Sequence, residues 1–343
     1  MEAVFGNIEF DSHEQVIFCH DAEADLHGII AVHNTRLGPA AGGCRMHPYE
    51  SVDAALHDAL RLSRGMTYKN ALAGLPLGGG KCVIIADPAA PGKEARLRAM
   101  ARHVQRLAGS YWTAIDVGVS SAEADLMAED CDYIFARASQ YPDGFMPSHF
   151  TALGGFHAIR AVVGDYLAGA RVAIQGLGST GHELARLLHE AGAELVVADV
   201  NPAAVERVVS EFGATAVATD EIHAQDVDVF APCALGGVIN DETLPQLRAK
   251  AVCGVANNQL ARPEHGVRLM ERGIAYAPDF VVNAGGMMGA GTVIYTEPDR
   301  GEALAKVLGI HDSIREILER AAAEGRPTSE IAELLAEERL AAA

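Results

Sequence analysis

Six residues constrain the fold of this chain more than any others: Gly176-Leu177-Gly178-Ser179-Thr180-Gly181. The apolar run Val172-Ala173-Ile174-Gln175 precedes them, a helical pattern over 182–191 follows, and the next strand-like run ends in Asp199. A lone G-x-G-x-x-G is weak, but strand, glycine turn, helix and second strand in this order specify a dinucleotide-binding βαβ unit. Gly176 permits the tight turn, Gly178 clears space for a pyrophosphate and Gly181 lets the helix pack on the sheet. The helix start at Ser179 offers free N–H groups and a positive dipole end to phosphates. Asp199 stands near the spacing of the acid that binds the adenosine ribose. Its charge would repel a 2′-phosphate, which favours NAD over NADP. The plainer reading is a tight turn with no ligand.

Around this unit, strand-like runs at 171–175, 194–199, 227–230, 251–256 and 274–277 alternate with helical patterns. That rhythm predicts a parallel sheet with helices on both faces. Pro202 after Asn201 suits a helix start. Ala231-Pro232-Cys233-Ala234-Leu235-Gly236-Gly237 closes one strand with small residues, placing Cys233 and Ala234 where a cofactor lies over the carboxyl edge. Asn257-Asn258 closes the next strand at the same edge, and Asn283-Ala284-Gly285-Gly286 opens a helix facing it. Earlier in the chain, strands are expected at 16–19, 28–33, 81–86, 111–117 and 132–136. Helices are expected from a Ser51 cap to about Ala71, over 93–108, over 121–130 and near 150–163. From about Gly301 the tail is helical, with Thr328 capping the last helix and Glu330 in its first turn. Pro142, Gly144 and Pro147 mark 139–148 as a hinge. The expected fold is α/β with two domains separated by a cleft. An N-terminal α/β catalytic and oligomerisation domain covers 1–140 and is joined by the C-terminal helix at about 320–343. A C-terminal Rossmann-type NAD domain covers 141–319.

Composition excludes several classes. A net charge of −19 argues against nucleic acid and anionic membranes, which reward basic patches. No stretch approaches the roughly 18 apolar residues of a membrane span. No basic segment followed by an apolar stretch opens the chain, so no signal peptide and a cytoplasmic location are expected. The six cysteines include no C-x-x-C pair and suggest buried thiols in a reducing compartment. The fourteen histidines form no ligand cluster with acids, so no metal site is expected.

A second motif carries chemistry. Gly78-Gly79-Gly80-Lys81 precedes the apolar run Val83-Ile84-Ile85. It reads as a glycine-rich turn delivering Lys81 to the mouth of a buried strand, where neighbours can desolvate the amine and prepare it as a base. A phosphate loop is excluded, because Leu75 and Cys82 stand where the Walker pattern needs glycine and Ser or Thr. The plainer reading is a surface lysine after a flexible turn.

These segments coincide with Gly42-Gly43-Cys44-Arg45-Met46, Met66-Thr67-Tyr68-Lys69-Asn70 and Thr113-Ala114-Ile115-Asp116-Val117-Gly118. Together, and in this order, they resemble the glutamate/leucine/phenylalanine/valine dehydrogenase family from about Glu14 to Arg339, most closely its branch acting on hydrophobic amino acids. The resemblance implies roles. Lys69 matches the lysine that binds the substrate carboxylate, Lys81 the catalytic lysine that activates water, and Asp116 the acid that shuttles a proton. Asn258 matches an asparagine that contacts substrate, and Gly42 and Gly43 the turn beside it. It also implies NAD as cofactor, an amino acid, a 2-oxo acid and ammonia as ligands, and a homo-oligomer built through the N-terminal domain and tail.

By position, the side-chain pocket includes Ala41, Ala114, Met287 and Ala290. All are apolar and none is a cation, which disfavours glutamate. Pro39-Ala40-Ala41-Gly42-Gly43, Tyr111-Trp112-Thr113 and Phe150-Thr151 resemble the phenylalanine branch, pointing to a larger aliphatic or aromatic substrate. Cys44, His149 and the segment Met287-Met288-Gly289-Ala290-Gly291 depart from the family pattern. Two alternatives remain at this point: a dehydrogenase of another amine or a hydroxy acid, and a non-catalytic NAD-binding scaffold.

Overall fold

The computed structural model describes the chain apart from Met1, Pro142, Asp143 and residues 295–299; two residues of the expected hinge therefore lie outside the described residues. Two compact units emerge. One comprises Met1–Met146, Ala290–Asp299 and Ala336–Ala343; the other comprises Pro147–Gly289 and Arg300–Leu335.

The first unit contains α1 (Glu2–Phe5), β1 (Gln15–Asp21), β2 (Leu26–Asn34), β3 (Ala40–His47), α2 (Val52–Leu72), β4 (Gly78–Ile85), α3 (Lys93–Gln105), β5 (Tyr111–Ile115) and α4 (Ser121–Ala128). Its sheet runs β1-β2-β4-β3-β5, antiparallel on the β1–β2–β4 side and parallel across β4, β3 and β5. Both faces are covered. Ile29, Ala31 and Val83 pack with Leu56 and Leu60 of α2. Ile30, Val32, Cys82 and Ile84 pack with Leu97, Met100 and Val104 of α3. A fully buried leucine contributes about 1.5–3 kcal/mol, so Leu56 and Leu60 help to hold α2 on this face. Ser51 caps α2, its Oγ accepting from the Ala54 N–H at 3.0 Å.

Three sequence expectations fail here. Gly78–Gly80 is not a turn but the start of β4. The absent side chains serve contact with the helix, since a Cβ on Gly79 would stand 2.1 Å from the Thr67 backbone nitrogen. Likewise Gly42 and Gly43 form no turn; they lie inside β3, a central strand that the sequence reading did not contain. A Cβ on Gly42 would meet the Gly80 carbonyl oxygen at 1.8 Å, and one on Gly43 the Ile115 oxygen at 2.6 Å. The strand expected at 132–136 shrinks to a single bridge between Thr113 and Ile134.

The second unit contains α5 (Pro147–Val163), β6 (Arg171–Gln175), α6 (Ser179–Glu190), β7 (Glu194–Ala198), α7 (Pro202–Phe212), β8 (Thr215–Ala216), β9 (Val229–Pro232), β10 (Ala251–Val252), α8 (Glu264–Glu271), β11 (Ala275–Tyr276), α9 (Asp279–Val282), α10 (Gly285–Gly291), α11 (Arg300–Glu324) and α12 (Thr328–Ala341). Two of these helices continue past the unit's boundary: α10 after Gly289 and α12 after Leu335. The sheet is wholly parallel in the order β11-β10-β9-β6-β7-β8. The chain leaves β6 towards β7 and β8, then returns to β9 on the other side of β6. That reversal opens a crevice beyond the carboxyl ends of β6 and β9. Asn201 and Pro202 start α7 as expected, with Asn201 Oδ1 accepting from the Ala203 N–H at 3.1 Å. Thr328 is the first residue of α12 and not its cap. Among the described residues, no helix is long and apolar enough to cross a membrane, and no group of histidine, cysteine or acidic side chains could hold a metal ion.

Candidate active site

Side chains alternate across a strand, and this decides what gathers on the α2 face of the first sheet. Cys82 and Ile84 point to α3, so Lys81 and Val83 point to α2. By the same parity Cys44 faces α3 while Ala41 and Arg45 face α2; Tyr111 and Ile115 face α3 while Ala114 and the following Asp116 face α2. Lys69 projects from the last turn of α2, the helix that covers this face. Thus the alternation collects Lys81, Asp116, Ala41 and Ala114 under one helix.

Lys81 is buried and donates to Asp116 Oδ2. The other Asp116 oxygen, Oδ1, accepts from the Val117 N–H at 2.8 Å. Arg45 Nε also donates to Oδ2, at 3.3 Å. Burial alone would raise the Asp116 carboxyl, but the Lys81 and Arg45 cations hold it well below the usual carboxylate range. Arg45 Nη1 donates at 2.9 Å to Asp58 Oδ2, which also accepts from the Tyr49 hydroxyl at 2.7 Å. Arg61 Nη2 donates to Asp58 Oδ1 at 3.2 Å. Neither Arg45 nor Asp58 was among the expected site residues, although Arg45 stands in a quoted motif.

Beneath this face lie Cys44 and Cys82, paired across β3 and β4 and fully buried. Hydrogen bonding with Cys82 and burial push the Cys44 thiol up. Burial also opposes ionisation of Cys82, but its bonds to Cys44 and Thr113 and the nearby Lys81 ammonium outweigh it and bring that thiol down.

In the second unit, the switch point between β6 and β9 gathers the glycine loop. Gly176 has φ +96°, and a Cβ there would meet Ala234 Cβ at 2.6 Å. A Cβ on Gly181 would stand 2.0 Å from the Gly176 carbonyl oxygen and 3.4 Å from Cys233 Cβ. Among the described residues, nothing lies within 4 Å of the corresponding point at Gly178, and no side chain caps the start of α6 at Ser179. Open space beside an uncapped helix start suits an anionic group. The Cys233 N–H donates to Gln175 O at 2.7 Å, tying β9 to β6. Burial raises the Cys233 thiol to about 12, which keeps it neutral. Asp199 lies just past β7; its Oδ2 accepts from the Leu177 N–H at 2.6 Å and its Oδ1 from the Asn201 N–H at 2.7 Å. These residues therefore fit a dinucleotide.

Asn258 holds a left-handed conformation at φ +51° after β10 and accepts from the Gly237 N–H at 2.7 Å. Met287 is half-buried in α10; Ala290, in the same helix, is buried and belongs to the first unit. Sequence reasoning assigned no role to Asn283. Its Nδ2 donates to Asn257 Oδ1 at 2.8 Å, while its buried Oδ1 has no hydrogen-bond partner among the described residues. A buried acceptor left open is uncommon.

Comparison with known proteins follows this division. Residues 13–133 match the model of the Glu/Leu/Phe/Val dehydrogenase dimerisation domain, and residues 147–299 that of the glutamate/leucine/phenylalanine/valine dehydrogenases. Leucine dehydrogenase of Geobacillus stearothermophilus is 46% identical over 342 residues, covering 98% of this chain and 93% of that protein. Phenylalanine dehydrogenase of Bacillus thermotolerans is 42% identical over 346 residues, covering 97% of this chain and 90% of that protein. The crystal structure of L-tryptophan dehydrogenase from Nostoc punctiforme superposes with a TM-score of 0.83 at 42% identity, covering 96% of each chain. The chain belongs to the glutamate/leucine/phenylalanine/valine dehydrogenase family.

Proposed function

We propose that this protein is an NAD-dependent L-amino acid dehydrogenase that oxidatively deaminates a hydrophobic amino acid to its 2-oxo acid. In the forward direction the amino acid, NAD⁺ and water give the 2-oxo acid, ammonium, NADH and a proton. The observation that carries the reading is the buried Lys81–Asp116 pair beneath α2, the helix that bears Lys69, in a chain of this family.

Lys69 binds the substrate carboxylate as a point charge. A bound nicotinamide would supply the acceptor for the hydride that leaves the α-carbon. Lys81, as the neutral amine, removes a proton from the water that attacks the resulting iminium carbon. Asp116 relays protons to the departing nitrogen and balances the lysine charge. Gly176, Gly178, Ser179, Gly181, Cys233, Ala234 and Asn258 shape the dinucleotide site. Asp199 favours NAD over NADP through charge and ribose binding. In the first unit Ala41, Ala114 and Ala290 supply an apolar surface for the side chain, and Gly42 and Gly43 let the strands approach beside it; in the second unit Met287 and Asn258 are the residues proposed to contact substrate. Neighbouring substrates differing by one methylene are separated by only about 1–3 kcal/mol in such a pocket. The first segment's match to a dimerisation domain supports assembly as a homo-oligomer.

The test is NADH formation with a panel of L-amino acids, with NAD and NADP compared. Turnover with leucine, phenylalanine or tryptophan that is lost in Lys81→Ala supports the reading. Dinucleotide binding without turnover of any amino acid overturns it.

A further inference from the structure

Asp116 Oδ2 serves two cations at once. Lys81 Nζ and Arg45 Nε both donate to it, and they come from different strands. Arg45 is held in turn by Asp58 on α2, where Tyr49 and Arg61 complete the carboxylate's hydrogen bonds. The four inner side chains expose little surface: 7% for Lys81, 14% for Asp116, 17% for Arg45 and 14% for Asp58. With so little water between them, their charges act strongly on one another.

Reversible loss of the Lys81 proton creates a difficulty that this arrangement meets. A buried carboxylate whose only counter-ion becomes neutral tends to take up a proton or move towards water. An arginine is never deprotonated in a protein, and its planar fork can serve two carboxylates in fixed directions. Here one edge of the fork reaches Asp116 and the other reaches Asp58. We propose that Arg45 is a positioning residue that keeps Asp116 ionised and in place while Lys81 gives up and regains its proton, and that Asp58 anchors Arg45 for that purpose. The inference rests on the reading of Lys81 and Asp116 as the reacting pair.

Charged and titratable groups face Arg45 from several elements, and Lys69 stands on α2, the helix that carries Asp58. Asp116 follows β5, and Lys81 stands on β4. Asp58 and Arg61 stand on α2, with Tyr49 on the segment after β3. The Cys44 and Cys82 thiols lie beneath, on the opposite face of β3 and β4. Burial, together with hydrogen bonding to the Asp58 carboxylate, drives the Tyr49 hydroxyl far above its usual range, leaving it a neutral donor. Without Arg45, Asp116 keeps only Lys81 of the two side-chain cations that donate to it among the described residues.

The experiment uses the full-length chain and the variants Arg45→Gln, Arg45→Lys and Asp58→Asn, with folding checked by Tm. Two readouts are taken. One is carbon NMR of aspartate carboxyls, with the Asp116 signal assigned through Asp116→Asn. The other is the pH profile of kcat and kcat/KM for amino acid oxidation. In Arg45→Gln the Asp116 titration moves up by about one pH unit or more, and the acid limb of the kcat profile moves to higher pH by a similar amount. The same variant loses about tenfold or more in kcat, while KM for the amino acid changes less. Arg45→Lys restores most of the limb position but not the full kcat. Asp58→Asn lowers kcat several-fold and leaves the limb in place.

A folded Arg45→Gln with unchanged Asp116 titration and an unchanged acid limb makes Arg45 a structural strut and overturns the proposal. If Arg45→Gln does not fold, the lysine and asparagine variants decide: full kcat in both overturns it equally. If the wild type turns over no amino acid, the functional reading fails, while the NMR readout still decides whether Arg45 holds Asp116 ionised.

Discussion

Gly79 lies so close to Thr67 that a Cβ on it would stand 2.1 Å from the Thr67 nitrogen and 2.6 Å from the Ser63 carbonyl oxygen. Both obstacles are backbone, so no rotamer change relieves them. The glycine sets how near α2 comes to β4, two residues from Lys81. Gly79→Ala must therefore push the helix away, at about 1–3 kcal/mol for an overpacked contact. The urea midpoint of Gly79→Ala is expected to fall accordingly, with a loss of kcat as Lys81 shifts relative to Lys69. An unchanged midpoint would show that the helix adjusts freely and that the close approach is incidental.

A second consequence concerns acid. His33 is buried against α2, its Nδ1 lying 2.7 Å from Thr67 Oγ1. Burial, the neighbouring His13 ring and Arg64 lower it from 6.5 to about 4, against the opposing effect of Asp11. The unfolded chain thus takes up this proton before the folded one does. Stability is lost as pH falls below about 6.5, and the loss levels off near 4. Between pH 6.5 and 5 the histidine accounts for about 1.5 kcal/mol of that loss. His33→Gln is expected to show a urea midpoint that falls less over this interval than the wild type's. Parallel declines in the two proteins would remove His33 as the cause.

Much of this architecture is legible in the residues, and the failures have physical reasons. The parallel sheet of the second unit shows as short apolar runs with helix starts between them, because strands buried on both faces need no alternation. The strand β3 escapes that reading. Ala-Ala-Gly-Gly-Cys-Arg-Met-His has no β-branched residue, and glycine ordinarily signals a turn. At Gly42, Gly43, Gly78 and Gly79 glycine instead marks close packing of backbone on backbone. Lys81 and Asp116 belong to recognisable motifs, whereas the Arg45–Asp58 bond joins a strand to a helix across a separation that no periodicity encodes. Parity along β3, once that strand is known, would have set Arg45 on the face of Lys81.

The end of α2 offers another test. Arg339 Nη1 donates to Leu72 O at 2.7 Å and to Ala71 O at 3.3 Å, and the Tyr68 hydroxyl donates to Glu337 at 3.0 Å. A cation on the last carbonyls of a helix satisfies unpaired acceptors and complements the dipole. Lys69 stands in that same turn. Arg339→Ala is expected to lower stability by about 1–2 kcal/mol and to raise KM for the amino acid more than it lowers kcat. Calorimetry and steady-state kinetics check both, and unchanged KM would separate the clamp from Lys69.

The unusual segment in α10 has a packing explanation that leads to a double-variant test. A Cβ on Gly289 would stand 2.3 Å from Cδ2 of the Phe150 ring, and one on Gly285 would stand 2.1 Å from the Phe150 carbonyl oxygen. The ring of Phe150, buried in α5, thus occupies the space that a side chain at 289 would need. The glycine weakens the helix by roughly 1 kcal/mol relative to alanine, yet alanine cannot be accepted while the ring is present. Gly289→Ala is expected to destabilise the protein by about 1–3 kcal/mol, and Phe150→Leu to destabilise it through lost packing. Combined, the two changes should cost at least about 1 kcal/mol less than their sum, since the smaller side chain yields the space. Strict additivity in urea unfolding would mean that α10 accommodates the methyl by moving elsewhere, and that Phe150 does not dictate the glycine.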